Sequence, residues 1–428
     1  MKQLSKINNL LVFIVISILI LFNSCEKEKI FPYEPKDTIE ELHMILEDYY
    51  FWIDSIPRVD FENYSSPQEL LEAMRFLPKD KWSYITTKEE NEQYYVEGKY
   101  IGYGFGFTPD NEGNMRITYL YDDCDFKTDG IDRSWKINTI NGTTVNENTN
   151  IPSLLGTDAV GISNTFEFES TSGTTVSKSY LKKEVDIKTV VYSEIIVDGT
   201  NKIGYLVFES FIEPSKEELT ETFLEFKNAG VTDLVIDLRY NGGGLLSIVE
   251  HMANLIIPDA VNGEKFLSYV HNNYTSNLNE SIYFEQNSNS LKLSSVYFIA
   301  GKGSASASEA IINGLEPHLD NVYIVGNDTY GKPVGMYSFN SRYSNLVYVP
   351  ICFSLENAAG YGSYFDGLKA DSYVDDDTYH TFGKDEAIFS EVFNHIKNGS
   401  FSSSKSSSEL RKTPKKEIRS IKDERGSL

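Results

Sequence analysis

Residues 191–397 alternate short apolar runs with longer amphipathic segments, and this alternation limits the possible folds more than any other feature of the chain. The apolar runs are typical of buried strands, and the segments between them have the 3.6-residue periodicity of helices. Strands and helices in turn form a mainly parallel sheet covered by helices. The predicted strands are 203–208, 234–238, 296–300 and 322–325, and the predicted helices are 215–229, 246–257 and 309–319. We therefore expect an α/β core.

Three further regions flank this core. Residues 96–190 contain short alternating runs broken by Gly, Asn and Asp, which predict a small β-rich domain. Residues 26–95 form a tether and then a helical segment, in which Thr38 and Glu41 have the spacing of a capping box. Residues 398–428 are Ser-rich and then basic, a composition typical of disorder.

The acidic composition restricts the partners of the chain. The 428 residues carry a formal net charge of −24, and the folded part lacks clustered Lys and Arg, so we expect no nucleic-acid binding. The length allows two or three domains.

Residues 1–25 have the features of a lipoprotein signal peptide. Lys2 and Lys6 precede an apolar run, Leu10–Phe22, that is too short to span a membrane comfortably. The run ends near Ser24-Cys25, where a small residue before cysteine fits lipid attachment. We expect Cys25 to anchor the protein to a lipid bilayer of the bacterial cell envelope, as an outer-membrane lipoprotein facing the periplasm or the cell surface. An ordinary cleaved signal is the alternative.

A stretch of small residues, 301–309, lies between the predicted strand 296–300 and the helix that follows it. Small residues allow a sharp turn that exposes a hydroxyl at the helix N-terminus. Unpaired N–H groups and the helix dipole favour negative charge there, which a tetrahedral oxyanion needs. The pattern therefore predicts a nucleophilic serine.

A hydroxyl is a poor nucleophile unless a base takes its proton. Lys332 lies on the loop after the predicted strand 322–325 and is the candidate base. Because the base has to be neutral, burial must lower the pKa of this lysine by roughly three units from ~10.4, which desolvation can do.

A third element begins at Asp237 and ends in three consecutive glycines. Glycine lets a backbone approach a substrate closely. We expect the N–H of Gly243 or Gly244, together with that of Ala307, to form an oxyanion hole, while Asp237 and Arg239 brace the loop. The three elements all follow strands of one predicted sheet, which is where such folds bind ligands.

These segments resemble the C-terminal processing, or tail-specific, serine peptidases, which are related to the tricorn protease core. The matching residues are Ser-Ala-Ser-Ala-Ser-Glu at 304–309, Tyr-Gly-Lys at 330–332, Asp-Leu-Arg-x-Asn-x-Gly-Gly at 237–244 and Ile-Gly-Tyr-Leu with Ser-Phe within 203–211. The likeness covers nearly all of residues 36–396.

The resemblance implies a ClpP/crotonase-like catalytic core with an inserted PDZ-like domain. It implies that Ser306 is the nucleophile and Lys332 the base of a Ser-Lys dyad, that the substrates are extended polypeptides, and that no cofactor is needed. Two departures stand out. Lys332 follows Ser306 by 26 positions, one more than expected, and Met336 lies where some relatives have a glutamine that orients the lysine.

The resemblance also gives a role to a glycine-containing loop of the β-rich region. Taken alone, Gly104, Phe105, Gly106 and Phe107 fit a tight hairpin turn as well as a ligand site. In a PDZ-like domain they form a loop whose N–H groups bind a peptide carboxylate, beside a strand that pairs with the peptide.

Two alternatives remain open, and a third fails on its sequence context. Ser179 and Lys182 have the Ser-x-x-Lys spacing of another class of acyl-transfer enzymes, without its companion motifs. A Ser-His site of the tricorn type would need His43 or His318, both predicted on helices, where histidine is usually structural. The other open alternative is an inactive, peptide-binding envelope lipoprotein with the same scaffold.

The remaining candidate groups have simpler interpretations. If Cys25 carries lipid, Cys124 and Cys352 are the two cysteines left for a disulfide, but each also fits a small buried hydrophobe. The aspartates at 122–125 and 375–377 lack the ligand spacing of a calcium loop, so we expect no metal site.

Overall fold

The computed structural model describes residues 34–402, of which residues 38–402 belong to one compact unit. The signal peptide, Cys25, most of the tether and residues 403–428 lie outside the described residues, so the fold does not bear on the predictions made for them. None of the helices between residues 34 and 402 is long and apolar enough to cross a membrane.

Helices dominate the N-terminal segment, as its periodicity predicts. The elements are α1 (Thr38–Tyr49), α2 (Pro67–Met74), β1 (Tyr84–Thr87) and α3 (Lys88–Tyr95), with 3₁₀ turns at Ile53–Ser55 and Phe61–Asn63. Ser66 caps α2 by accepting the N–H of Glu69.

Glu41 does not form the capping box that its spacing with Thr38 predicts. Its carboxylate accepts hydrogen bonds from the Ser341 hydroxyl at 2.7 Å and from the Arg342 N–H at 2.9 Å. Glu41 is buried, and a buried carboxylate needs hydrogen-bond donors, which a distant part of the chain supplies here.

A second buried carboxylate organises the end of the N-terminal segment. Asp80 accepts hydrogen bonds from the Tyr50 hydroxyl, from the N–H and hydroxyl of Ser83, and from the N–H of Trp82. These bonds fix the backbone at Trp82 just before β1.

The β-rich region is built around an antiparallel sheet. Its elements are β2 (Lys99–Gly102), β3 (Phe105–Pro109), β4 (Met115–Leu120), β5 (Lys136–Ile140), β6 (Thr143–Thr144), α4 (Ile151–Leu155), β7 (Ser163–Glu169), β8 (Thr175–Leu181) and β9 (Lys183–Asp186). The order is β3-β4-β5-β7-β8, with β6 paired to β5, and β2 pairs separately with β9. Buried phenylalanines 105, 107, 126, 166 and 168 fill its core. This order leaves β3 at an edge of the sheet.

The rest of the chain forms the α/β core. In chain order its elements are β10 (Val190–Asp198), β11 (Asn201–Phe208), α5 (Ser215–Ala229), β12 (Asp233–Asp237), α6 (Leu246–Ile256), β13 (Lys265–His271), β14 (Glu280–Tyr283), β15 (Ser295–Ala300), α7 (Ala307–Leu315), β16 (Asn321–Gly326), β17 (Val334–Met336), β18 (Phe339–Asn340), β19 (Leu346–Val349), β20 (Ile351–Asn357), β21 (Ser372–Tyr373) and α8 (Ala387–Asn398).

The predicted parallel sheet is present, with the order β10-β11-β12-β15-β16-β21. The five strands from β11 to β21 are parallel, and β10 runs antiparallel at one edge. Alternate residues of a strand point to opposite faces. Leu234 and Ile236 pack in one core with α5, α6 and α7, whereas Val235 packs in another with α8. Helices therefore cover both faces, and the predicted mainly parallel α/β sheet is confirmed.

Two antiparallel sheets were not predicted. One has the order β14-β13-β20-β17, and the other has the order β1-β19-β18. Strands β17 and β18 contain three and two residues, too few for an alternating pattern to be recognised. The second sheet joins the N-terminal segment to the core through β1 and β19.

Cys124 and Cys352 are free thiols that lie in different hydrophobic cores. Burial raises the pKa of each to about 12, so neither is a nucleophile at neutral pH. Their interpretation as small buried hydrophobes is confirmed.

A buried ionic cluster ties the glycine-rich loop to the C-terminal part of the core. Arg239, 2% exposed, binds Asp237 at 2.7 Å, Asp376 at 2.9 Å and Glu386 at 2.7 Å. Burial opposes the charge of Arg239, but the carboxylates outweigh it and hold the pKa of the guanidinium well above its ordinary value. This geometry agrees with a bracing role for Asp237 and Arg239.

The same C-terminal part also holds the β-rich region. The guanidinium of Arg133 donates hydrogen bonds to the carbonyls of Asp377 at 2.8 Å and His380 at 3.0 Å, and it lies 4.0 Å from the ring centroid of Phe382. One segment after β21 therefore contacts both the core loop and the β-rich region.

We expect Arg239→Met to lower the free energy of unfolding by about 3–5 kcal/mol, because it leaves buried carboxylates without their cation. Urea denaturation followed by fluorescence measures this change. Arg58→Met is the matched control, since Arg58 is exposed, and it should shift stability by no more than about 0.5 kcal/mol. Equal stabilities of the two variants would contradict the assigned role of the cluster.

Candidate active site

The predicted nucleophile lies at a strained turn between β15 and α7. Ser306 has φ 56° and ψ −110°, a conformation that costs a non-glycine residue about 1–3 kcal/mol. It is the residue immediately before the first turn of α7, where the N–H groups of a helix have no intrahelical acceptor. The fold thus places its hydroxyl at a site suited to negative charge.

The neighbouring serines are used to hold this turn. The Ser304 hydroxyl donates to the Leu238 carbonyl at 2.7 Å, and the Ser308 hydroxyl donates to the Asn241 carbonyl at 2.9 Å. Both side chains are buried, whereas Ser306 is partly exposed. Of the three serines, the middle one is therefore the one that a substrate can reach.

A single buried carboxylate connects the serine turn to the lysine loop. Oε2 of Glu309 accepts the N–H of Ser306 at 3.0 Å and the N–H of Lys332 at 2.8 Å. Oε1 accepts the N–H of Gly331 at 2.7 Å and the hydroxyl of Thr329 at 2.5 Å. The two loops predicted to carry the nucleophile and the base are thus held by one side chain.

Burial dominates the electrostatics of Glu309, which has no measurable exposure. Desolvation raises the pKa of this carboxyl, although all four hydrogen bonds favour the charged form and act in the opposite direction. Four donors from the two loops therefore stabilise the charged form of this buried carboxylate.

The Lys332 amine lies in a partly apolar environment. Its Nζ donates to the thioether sulfur of Met336 at 3.3 Å and lies 5.7 Å from the ring centroid of Trp82. The Trp82 ring also packs edge-on against Tyr330, with 6.3 Å between centroids. The N-terminal segment therefore contributes one wall of the site.

The glycine-rich loop touches the serine turn directly. A Cβ added to Gly243, whose φ is +108°, would lie 2.9 Å from Ser306 Cβ and 3.0 Å from Ala307 N. The Gly243 N–H donates to the Asn241 side chain at 2.9 Å. Within residues 34–402 nothing accepts the N–H of Gly244 or of Ala307. These two N–H groups are therefore the ones left for a ligand.

The loop Gly104–Phe107 lies in the β-rich region, at the start of the edge strand β3. The Gly104 N–H donates to the Tyr100 hydroxyl at 3.0 Å, and its carbonyl accepts the Tyr121 N–H at 2.9 Å. The side chains of Phe105 and Phe107 are buried in the core of the region. All four residues of the loop are buried, and the N–H and carbonyl of Gly104 both have partners within the β-rich region.

The residues of the alternative mechanisms have other partners. Ser179 shares a hydrogen bond with Thr165 at 2.7 Å, whereas the Lys182 amine binds Asp158 at 2.7 Å. His43 pairs with Glu47 at 3.6 Å, and His318 with Glu264 at 3.0 Å. Within the described residues these groups form local structural contacts.

The structure adds functional residues that the sequence analysis missed. Glu309 was named as part of a matching motif and of a helix but given no role at the site, and Trp82 was not singled out. The Ser-Ala-Ser-Ala-Ser-Glu run contained a signal for Glu309, because an acidic residue three positions after a helix cap often binds the backbone N–H of the cap. No comparable local signal identifies Trp82.

Comparison with known proteins supports the resemblance. Residues 202–371 match the model of "Peptidase family S41", and residues 44–84 match that of the "Peptidase S41 N-terminal domain". The first match contains the serine turn, the lysine loop and the glycine-rich loop. The second match contains Trp82.

Two curated relatives are the "Carboxy-terminal processing protease CtpB" of Bacillus subtilis and the "Probable CtpA-like serine protease" of Staphylococcus aureus. The first is 29% identical over 35% of this chain and 29% of its own length. The second is 26% identical over 60% of this chain and 49% of its own length. The chain thus spans about half or less of these relatives.

A solved structure, the "Putative S41 protease" of Bacteroides fragilis, has a TM-score of 0.70 at 20% identity, covering 86% of this chain and all of the other. This likeness concerns the fold, which is the mixed α/β fold of S41 proteases. The predicted family resemblance is therefore confirmed.

We expect Gly243→Ala to lower the free energy of unfolding by about 1–3 kcal/mol. An alanine is strained at the backbone φ of this position, and its methyl group overlaps the serine turn. Thermal denaturation measures the change. In Gly242→Ala, the matched control, no atom lies within 4 Å of the added carbon, so the effect should stay within about 0.5 kcal/mol. A tolerated Gly243→Ala would mean that the two loops are not packed as described.

Proposed function

We propose that this chain, which carries the peptidase and N-terminal domains of family S41, is a serine endopeptidase that cuts extended polypeptides. Ser306 is the nucleophile and Lys332 the base. The observation that carries the proposal is the shared carboxylate of Glu309, which binds the backbone of both residues. Proximity of nucleophile and base is the first requirement for this chemistry.

The reaction proceeds through an acyl-enzyme. The Ser306 hydroxyl attacks the peptide carbonyl while the neutral Lys332 amine takes its proton and passes it to the leaving amine. Water then attacks the ester with the same lysine as base. The N–H groups of Gly244 and Ala307 bind the oxyanion, and the Gly243 N–H, which is bound to Asn241, positions the loop instead.

The β-rich region, residues 96–190, acts as a PDZ-like domain in this proposal. Its edge strand β3 offers backbone groups to which an extended peptide can add as a further strand. The loop Gly104–Phe107 binds the C-terminal carboxylate of the substrate. The catalytic part, residues 191–397, has a ClpP/crotonase-like arrangement.

Lipid attached to Cys25 anchors the enzyme to the bacterial envelope in this proposal. Cys25 follows an apolar segment and Ser24, the arrangement that supports lipid attachment at this residue. Incorporation of radiolabelled palmitate into the wild type, with its loss in Cys25→Ala, tests the anchor.

We expect Ser306→Ala and Lys332→Ala each to reduce hydrolysis of an unstructured protein by at least about 10³-fold, since each removes one half of the reacting pair. Gel assays of casein cleavage measure the rates. His43→Ala, the control for a Ser-His mechanism, should retain the wild-type rate. Full activity in Lys332→Ala contradicts the dyad, and peptide binding without cleavage by the wild type identifies an inactive binding protein.

We expect a peptide with a free C-terminal carboxylate to bind at least about tenfold more tightly than its amidated form, because charge-assisted hydrogen bonds to backbone N–H groups are lost on amidation. Fluorescence anisotropy with the Ser306→Ala protein measures binding without cleavage. Gly104→Ala should abolish the preference. Gly130→Ala is the matched control, because the φ of Gly130 is +76° and that of Gly104 is +82°. This variant should keep the preference for the free carboxylate. Equal affinities for both peptides would exclude carboxylate recognition.

A further inference from the structure

One sulfur-containing side chain of residues 34–402 is more exposed than the others. Met336 is partly exposed, and the remaining methionines and cysteines of residues 34–402 are buried: Met44, Met74, Met115, Met252, Cys124 and Cys352. Burial also raises the pKa of both thiols to about 12, so neither forms the thiolate that reacts with peroxides. Within the described chain an oxidant in solution therefore meets Met336 first.

Met336 is also in contact with the catalytic machinery. Its sulfur accepts a hydrogen bond from the Lys332 amine at 3.3 Å. A thioether is a weak acceptor, so it can orient the amine without strongly favouring the charged form. Met336 lies at the end of β17, which pairs with β20 and gives the residue a fixed backbone position.

We propose that Met336 is a reversible oxidation site through which peroxides switch off the peptidase. The inference rests on the proposed function of Lys332. In the reaction, the thioether sulfur donates an electron pair to one oxygen of hydrogen peroxide, an S–O bond forms and the O–O bond breaks. The other oxygen leaves as water after proton transfer. Sulfur loses two electrons and peroxide gains them, and methionine sulfoxide reductases restore the thioether.

The sulfoxide changes what the Lys332 amine contacts. Its oxygen is a much stronger acceptor than the thioether sulfur, and hydrogen bonds to the charged form of a group favour that form. The amine then holds its proton and no longer serves as the base for Ser306. The sulfoxide is also larger and more polar than the thioether, and it lies beside an amine that packs near the Trp82 ring.

The test treats the folded protein with graded hydrogen peroxide, maps sulfoxides by peptide mass spectrometry and measures casein hydrolysis in the same samples. We expect Met336 to be oxidised before Met44, Met74, Met115 and Met252, and activity to fall at least about tenfold in proportion to its oxidation. Methionine sulfoxide reductase with a thiol reductant should restore activity. In Met336→Leu, peroxide should leave the rate at the untreated level of that variant.

Met115→Leu is the matched control, because it replaces a buried methionine with a residue of similar volume and should lose activity with peroxide as the wild type does. Oxidation of buried methionines ahead of Met336, or complete Met336 oxidation with an unchanged rate, would overturn the proposal. If the untreated wild type is no more active than Ser306→Ala, the proposed function is refuted instead. Peptide mass spectrometry would still show which methionines are oxidised first.

Discussion

The hydrogen bonds of the Glu309 carboxylate are the interactions on which the candidate active site depends. This carboxylate is fully buried and accepts hydrogen bonds from four donors on two separate loops. A buried charge without its donors is costly, so the two loops are held in one arrangement as long as the carboxylate stays inside. The strained backbone of Ser306 persists for the same reason, since its N–H is one of the four donors.

The loops around Glu309 are in turn supported by charges and by close backbone contact. Arg239 links the glycine-rich loop to two carboxylates that follow β21, and the same segment contacts the β-rich region through Arg133. Gly243 and Gly244 allow the loop to approach the serine turn and Phe211 more closely than any larger residue would. A rigid support of this kind suits the proposed dyad, in which the Ser306 and Lys332 side chains must meet within hydrogen-bond reach.

The surroundings of the Lys332 amine include a residue of the N-terminal segment. Trp82, positioned by Asp80, lies against the lysine together with Met336. A thioether and an aromatic ring hold the amine by weak contacts. A change in this one sulfur atom therefore alters a direct contact of the amine.

Local physical patterns in the sequence predicted much of the fold. The parallel strands β11, β12, β15 and β16 and helix α5 follow from apolar runs and from helical periodicity, because burial on both faces of the sheet leaves an uninterrupted apolar signature. The short strands β17 and β18 have no such signature. They are strands because β20 and β19 supply their hydrogen bonds, which is a property of the assembled sheet.

The sequence by itself determined the strand-to-helix turn of the serine, the loop of the lysine and the three glycines, because each depends on residues adjacent in the chain. The tertiary structure decided which groups meet: Glu309 with Lys332, Trp82 with the lysine, and Asn241 with the Gly243 N–H. Glu309 and Lys332 are 23 positions apart, and Trp82 and Lys332 are 250 positions apart. The contact of Asn241 with Gly243 is local, but it forms only when the glycine-rich loop closes. Such contacts form because buried polar groups must find partners wherever the packed chain supplies them.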